Sequence, residues 1–309
     1  MKLVVLGGGG WVGSAAAFHI ATLRLADEVV LVGGRRAALA EQHALDMRTA
    51  VSMLGVRVKA GSYADLAGSD IVINAAGVPH TGDRVGMLAG NVLLLRELAG
   101  HIRAHCPEAV VITATNPVDP LNYATWRAGG FARRQILGYS LNDSLRFREF
   151  VAAAKGAEVG DVEGTVLGEH GPLQVPLFSS VRIGGRPVSF TEEEKEAIRE
   201  ARPRAFKRVE ELQKETGRTN GWTCAVGLAR MVEAIVGDTG DVIPVSAVLD
   251  GEYGLSGLSV GVPARIGASG ISEIVGFDLA PDERESLSAC AMKLKEDAEQ
   301  VDATLKELS

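Results

Sequence analysis

The feature that most constrains this chain is the run Gly8-Gly9-Gly10-Trp11-Val12-Gly13. It follows a short apolar stretch, residues 2–6, and precedes apolar residues that recur at helical spacing through residues 12–25. A short apolar run reads as a buried strand and the 3.6-residue recurrence as a helix, so the unit is strand, tight turn, helix. GxGxxG in that setting is a dinucleotide-binding pattern. Gly8 permits the turn, Gly10 lets the backbone approach a pyrophosphate, and Gly13 lets helix and sheet pack closely while the helix N-terminus faces the anion. Trp11 and Val12 belong to the same cofactor-side loop. A glycine turn without a ligand is the alternative reading.

Further apolar runs at residues 28–32, 70–74 and 109–113 alternate with longer stretches at 37–54 and 87–105. Strands buried on both faces with helices between them predict an α/β fold with a doubly wound parallel (Rossmann) sheet. From about residue 141 the alternation stops. Residues 181–188 read as a hairpin around Gly184-Gly185, and two charged helices are expected at 191–216, with Thr191 as N-cap, and at 281–308. The expected organisation is a dinucleotide-binding domain over 1–140 and an α+β catalytic, substrate-holding domain over 141–309, with the ligand between them beyond the carboxyl ends of the strands.

A fold that holds NAD normally places an Asp or Glu about 20 residues after the glycines, on the ribose diol. Here the sequence reads Leu31-Val32-Gly33-Gly34-Arg35-Arg36. Gly33 removes the anion that would repel a 2′-phosphate, and Arg35 and Arg36 offer guanidinium groups suited to bind one. NADP is therefore the expected cofactor and NAD the second choice; the alternative is that the two arginines are a solvated helix start.

Four other segments contain the side chains that interconversion of an alcohol and a ketone needs. Gly168-Glu169-His170-Gly171 offers a histidine able to give and take a proton near neutral pH. Asp143 and Arg146 in Asn142-Asp143-Ser144-Leu145-Arg146 stand three residues apart, on one face of a helix. Thr115-Asn116-Pro117-Val118-Asp119 follows a strand, and His80-Thr81-Gly82-Asp83-Arg84 forms a loop. Singly, each has a bland reading: a structural histidine, a surface ion pair.

Together with Ala44-Leu45-Asp46-Met47 and Gly261-Val262-Pro263, these motifs make the sequence resemble the lactate/malate dehydrogenases over nearly its whole length. The resemblance implies hydride transfer between a nicotinamide and C2 of a small 2-oxo or 2-hydroxy acid. It implies His170 as acid and base, Asp143 as its orienting partner, Arg146 as carboxylate clamp, and Arg84 on a closing loop to polarise the carbonyl. Asn116 would lie near nicotinamide and substrate, Asn91 on the cofactor side, and Asn220 on the opposite wall. The substrate-selecting loop differs: it is two residues shorter than in those enzymes, which leaves His80 or Thr81 where they carry an Arg or a Gln. The family also implies a homodimer or homotetramer; residues 15–25 and 224–236 carry more apolar side chains than one helix face needs.

Composition bounds the rest. A net charge of −7 gives no positive field for nucleic acid. Cys106, Cys224 and Cys290 are three and far apart, so neither a disulfide framework nor a metal site is expected, and reduced thiols fit a cytoplasmic protein. The apolar run at 3–6 is too short for a signal segment, and no stretch is long enough to span a membrane. Two other functions fit parts of the pattern: an NAD-dependent glycosidase-like enzyme, which would need a metal, and a non-catalytic NADP-binding protein, for which the Asp143/His170 pair would be superfluous.

Overall fold

The computed structural model describes residues 1–78, 84–216 and 220–307; His80 and Thr81 lie outside them. β1 (Lys2–Leu6), β2 (Glu28–Val32), β3 (Arg57–Gly61), β4 (Ile71–Asn74), β5 (Val110–Thr113) and β6 (Ile136–Tyr139) are parallel, in the order β3-β2-β1-β4-β5-β6. Their Val, Ile and Leu side chains are almost wholly buried. Each such side chain contributes roughly 1.5–3 kcal/mol relative to exposure, which explains why the runs carry no polar alternation.

Helices α1 (Trp11–Thr22), α2 (Ala37–Ala50), α3 (Arg84–His105) and α4 (Val118–Gly129) connect these strands. α1 starts directly over the end of β1 because Gly13 has no side chain: a Cβ there would stand 2.5 Å from the Gly7 carbonyl oxygen. The strand order reverses between β1 and β4, which opens a crevice at their carboxyl ends.

The second half begins with α5 (Leu141–Lys155) and continues through β7 (Val162–Glu163), β8 (Val166–Gly168) and β9 (Gln174–Pro176). β10 (Arg182–Ile183) and β11 (Arg186–Pro187) form the hairpin expected around Gly184-Gly185, and they pair with β7 in a separate small sheet. α6 (Glu192–Thr216) is capped as its sequence predicts, with the Glu194 N–H donating to Thr191 Oγ1 at 3.2 Å and the Thr191 N–H to Glu194 Oε2 at 2.9 Å.

α7 (Trp222–Gly237), β12 (Val242–Asp250), β13 (Ser256–Gly267), β14 (Gly270–Ile274) and α8 (Pro281–Lys306) complete the described chain. β12 pairs antiparallel with β6, so the main sheet runs on without a break through β12, β13, β8 and β9. The two halves therefore share one sheet and one core, and the turn after β8 lies against the start of α4. Among the described residues no helix is long and apolar enough to cross a membrane.

Candidate active site

His170 lies in the turn that leaves β8, and two carboxylates from different helices fix it. Asp143, in the first turn of α5, has its Oδ2 at 2.6 Å from His170 Nδ1. Asp119, in the first turn of α4, accepts the backbone N–H of His170 at 2.7 Å through Oδ2. The other oxygen of Asp119 accepts the Ser246 hydroxyl of β12 at 2.6 Å, and Asn122 donates at 3.0 Å to the Ser246 carbonyl. Ring and backbone of the histidine are thus held separately. With Nδ1 engaged, Nε2 is the nitrogen able to carry a proton to a ligand.

Burial of His170 works against the imidazolium, but the charge and hydrogen bond of Asp143, aided by Asp119, outweigh it and hold its pKa above the usual histidine value. Burial pushes Asp119 up to about 6, although the Ser246 hydroxyl and the His170 N–H both favour its charged form. A raised pKa favours the protonated ring, and the arrangement can serve as a general acid.

Arg146 follows Asp143 one turn along α5, its Nη1 3.8 Å from Asp143 Oδ1. The sequence reading missed two partners. Arg202 of α6 points its Nε at the same oxygen from 4.0 Å, and the guanidinium carbons of Arg146 and Arg202 each lie 4.7 Å from the centre of the Phe206 ring. Asp119 ends the segment Thr115-Asn116-Pro117-Val118-Asp119, and the sequence attaches no role to it. No local signal marks either one: Asp119 meets Ser246 across 127 positions of sequence, and Arg202 sits in a helix that reads as uniformly charged.

At the other end, Gly8 and Gly10 lie in the turn between β1 and α1, and Trp11, Val12 and Gly13 form the first turn of α1; the N–H groups of Gly7 and Gly8 tie the turn down by donating to the Val32 carbonyl at 2.8 and 3.0 Å. Gly33 follows β2 directly, beside this turn, and leads into the short 3-10 turn Gly34–Arg36. A Cβ on Gly33 would lie 2.5 Å from the Arg36 carbonyl oxygen, so the tight turn that presents Arg35 and Arg36 to solvent leaves no room for an acidic side chain. The glycine cradle and the exposed guanidiniums fit a dinucleotide carrying an extra phosphate.

The remaining predicted residues are Asn91, Asn116, Asn220 and Arg84. Asn91 of α3 is buried; its Oδ1 accepts the Val78 N–H at 2.9 Å and its Nδ2 lies 3.5 Å from the Asn116 carbonyl, so it braces the loops after β4 and β5. Asn116 is exposed between β5 and α4. Asn220 is exposed ahead of α7, where Gly221 packs so tightly on α1 that a Cβ would stand 2.9 Å from the Trp11 carbonyl oxygen. Arg84 is the first residue of α3.

Residues 1–138 match the family described as lactate/malate dehydrogenase, NAD binding domain, and residues 141–305 that described as lactate/malate dehydrogenase, alpha/beta C-terminal domain. The chain is 36% identical to the malate dehydrogenase of Haloarcula marismortui, across 97% of this chain and 99% of that one. It is also 36% identical to the malate dehydrogenase of Halobacterium salinarum, across 95% and 97%. Among solved structures, malate dehydrogenase from Salinibacter ruber superposes with a TM-score of 0.87 at 29% identity over the whole of both chains. The Cryptosporidium parvum lactate dehydrogenase, complexed with lactic acid and nicotinamide adenine dinucleotide, gives 0.87 at 31% identity over 97% of this chain and 98% of that one.

Proposed function

This chain belongs to the lactate/malate dehydrogenase family, and from that premise we propose that it interconverts malate and oxaloacetate with NADP(H) through the acid–base pair His170 and Asp143. It is a 2-hydroxy acid dehydrogenase acting on the CH–OH group of its substrate. Matching both family halves removes the glycosidase-like reading. The observation that carries the catalytic reading is the 2.6 Å contact between His170 Nδ1 and the buried Asp143, which leaves Nε2 to face a ligand.

In reduction, Arg146 pairs its guanidinium with the substrate carboxylate and fixes C2 in place. His170 gives the Nε2 proton to the carbonyl oxygen as that oxygen gains charge, and Asp143 stabilises the imidazolium beforehand and keeps the ring aligned. When bound, the nicotinamide supplies the hydride to C2, or accepts it in the reverse direction. Residues 1–140 hold the dinucleotide, with Gly8, Gly10 and Gly13 against its pyrophosphate and Arg35 and Arg36 on the 2′-phosphate; residues 141–309 carry the acid–base pair. Arg84, the first residue of α3, polarises the carbonyl, and the enzyme assembles as a homodimer or homotetramer.

The malate dehydrogenases of Haloarcula marismortui and Halobacterium salinarum, each 36% identical, support the dicarboxylate. Pyruvate is the second reading, favoured by the absence of an arginine between Val78 and Arg84. A steady-state screen of oxaloacetate, pyruvate, 2-oxo-isocaproate and phenylpyruvate with NADPH and NADH tests both choices: the proposal expects the highest kcat/KM for oxaloacetate with NADPH, and a preference for pyruvate or for NADH overturns the corresponding half.

A further inference from the structure

Two buried polar atoms at the centre of the site have no hydrogen-bond partner among the described residues: Asp143 Oδ1 and Arg202 Nε. They face each other at 4.0 Å, and Arg146 Nη1 stands 3.8 Å from the same carboxylate oxygen. Asp143 has 3% of its side chain exposed and Arg202 17%, so solvent is a poor substitute for the missing bonds. Stacking on Phe206 holds both guanidiniums beside that oxygen. One spare carboxylate oxygen therefore has two cations within reach, and one of the two has other work. A two-point grip on a substrate carboxylate uses the fork of Arg146 and takes it away from Asp143.

We propose that Arg202 is a positioning residue that closes onto Asp143 Oδ1 when Arg146 turns to the substrate, so that the carboxylate behind His170 keeps a cation through turnover. The proposal rests on the roles given above to His170, Asp143 and Arg146. Without Arg202, Arg146 is divided between Asp143 and the substrate, and His170 meets more of the charge of Asp143.

The sign of the effect depends on every charge facing this pair. Asp119 from α4 and Glu169 from the turn are the other acids, and Arg146 is the other described cation. Tyr139 of β6 and Cys224 of α7 are both pushed upward by burial and stay uncharged at neutral pH. Removing the Arg202 charge takes a competitor away from Asp143, so the imidazolium of His170 becomes more stable. The proton-donor limb of the reduction then moves to higher pH.

The test uses the full chain with cofactor and compares wild type with Arg202→Met and Arg202→Lys. For Arg202→Met, KM for the 2-oxo acid should rise about tenfold while kcat changes less, the loss of one charged hydrogen bond being enough for that ratio. The upper limb of kcat/KM against pH should move up by about half to one unit, and Arg202→Lys, which keeps the charge without the fork, should fall between the two. An unchanged KM and an unmoved limb overturn the proposal, even if the melting temperature drops, because packing alone would give that. Should the Met variant fail to fold, the same criteria apply to the Lys variant. NMR titration of the His170 imidazole separates this idea from the proposed reaction: a chain inactive on every 2-oxo acid refutes the reaction, whereas an imidazole titration that ignores Arg202→Lys and Arg202→Met refutes the role of Arg202.

Discussion

At the glycine end of the crevice a ligand would meet main chain: the turn after β1 is fixed by backbone bonds to Val32, and its flanking arginines stand in solvent. At the histidine end it would meet side chains taken from out-of-sequence elements, with His170 on the turn after β8, Asp143 and Arg146 on α5, Asp119 on α4 and Arg202 on α6. The first construction is local and made of main chain, and its two arginines are exposed, so the loss of either arginine side chain leaves the turn in place. The second is buried, and each member sets the charge state of another. Binding can thus be lost gradually at one end, while chemistry at the other depends on single atoms.

His170→Asn should break the comparison most sharply. The substitution removes the proton donor and leaves the glycine turn untouched, so kcat should fall by about 10²–10⁴-fold. NADPH binding, followed by the fluorescence of the nicotinamide, should stay within about threefold of wild type, since the dinucleotide contacts assigned here lie in the other half of the chain. Retention of more than about a tenth of the turnover would remove His170 from the acid–base role.

Next in size is the cost of burying charge beneath the histidine. Asp119 titrates at about 6 in the folded chain against 3.8 for the ordinary group, so between those values the folded state holds a proton that the unfolded state has lost. Its contribution is complete below the lower value and falls away as pH rises through the upper one. The difference corresponds to about 3 kcal/mol. Asp119→Asn accepts the His170 N–H through its oxygen and offers its amide to Ser246, so urea unfolding should favour the variant, relative to wild type, by about 2.5 kcal/mol more at pH 8 than at pH 4. Parallel stability curves would mean that Asp119 is not held charged at a cost.

The same contrast explains what could be read from the sequence. The β1 turn, α1 and the β2 end were legible because the bonds that close the turn join Gly7 and Gly8 to Val32, close by in the chain, and period and glycine spacing record them directly. Asp143, Arg146 and His170 were visible as residue types at suggestive spacings, and resemblance supplied their roles. The continuation of the sheet through β12 and β13 was not read. Val242–Asp250 is an apolar run of ordinary strand length, and nothing in its own residues says that Val245 and Ser246 pair with Tyr139 and Gly138. The carboxylate of Asp119 and the guanidinium of Arg202 acquire meaning only through that long-range folding.

At the glycine end the expected effect is smaller. Changing Arg35 and Arg36 together to Ala should narrow the NADPH over NADH preference in kcat/KM by about tenfold or more, since one hydrogen bond to a charged phosphate contributes about 1.5–3 kcal/mol. Turnover at saturating cofactor should hardly change. Equal use of the two cofactors by wild type would show that the closed turn at Gly33 merely excludes an acid and that the arginines are solvated.

The smallest effect concerns His80, which lies outside the described residues and is the one titratable side chain that the sequence places near the selecting position of the loop. A second substrate carboxylate would meet there a group with a reference pKa near 6.5, not a permanent cation. Raising the pH from 6 to 8 discharges an ordinary histidine and removes one ion pair from oxaloacetate but none from pyruvate. An exposed ion pair contributes about 0.2–1 kcal/mol, so the ratio of kcat/KM for oxaloacetate to that for pyruvate should fall by up to about fivefold across this interval. Dividing one substrate by the other cancels the titration of His170, which both share, and confines the result to the loop. His80→Gln should flatten the ratio, and His80→Arg should hold it high at both ends of the range. A ratio independent of pH in wild type would take His80 out of substrate selection and leave the dicarboxylate to be read by groups that do not titrate.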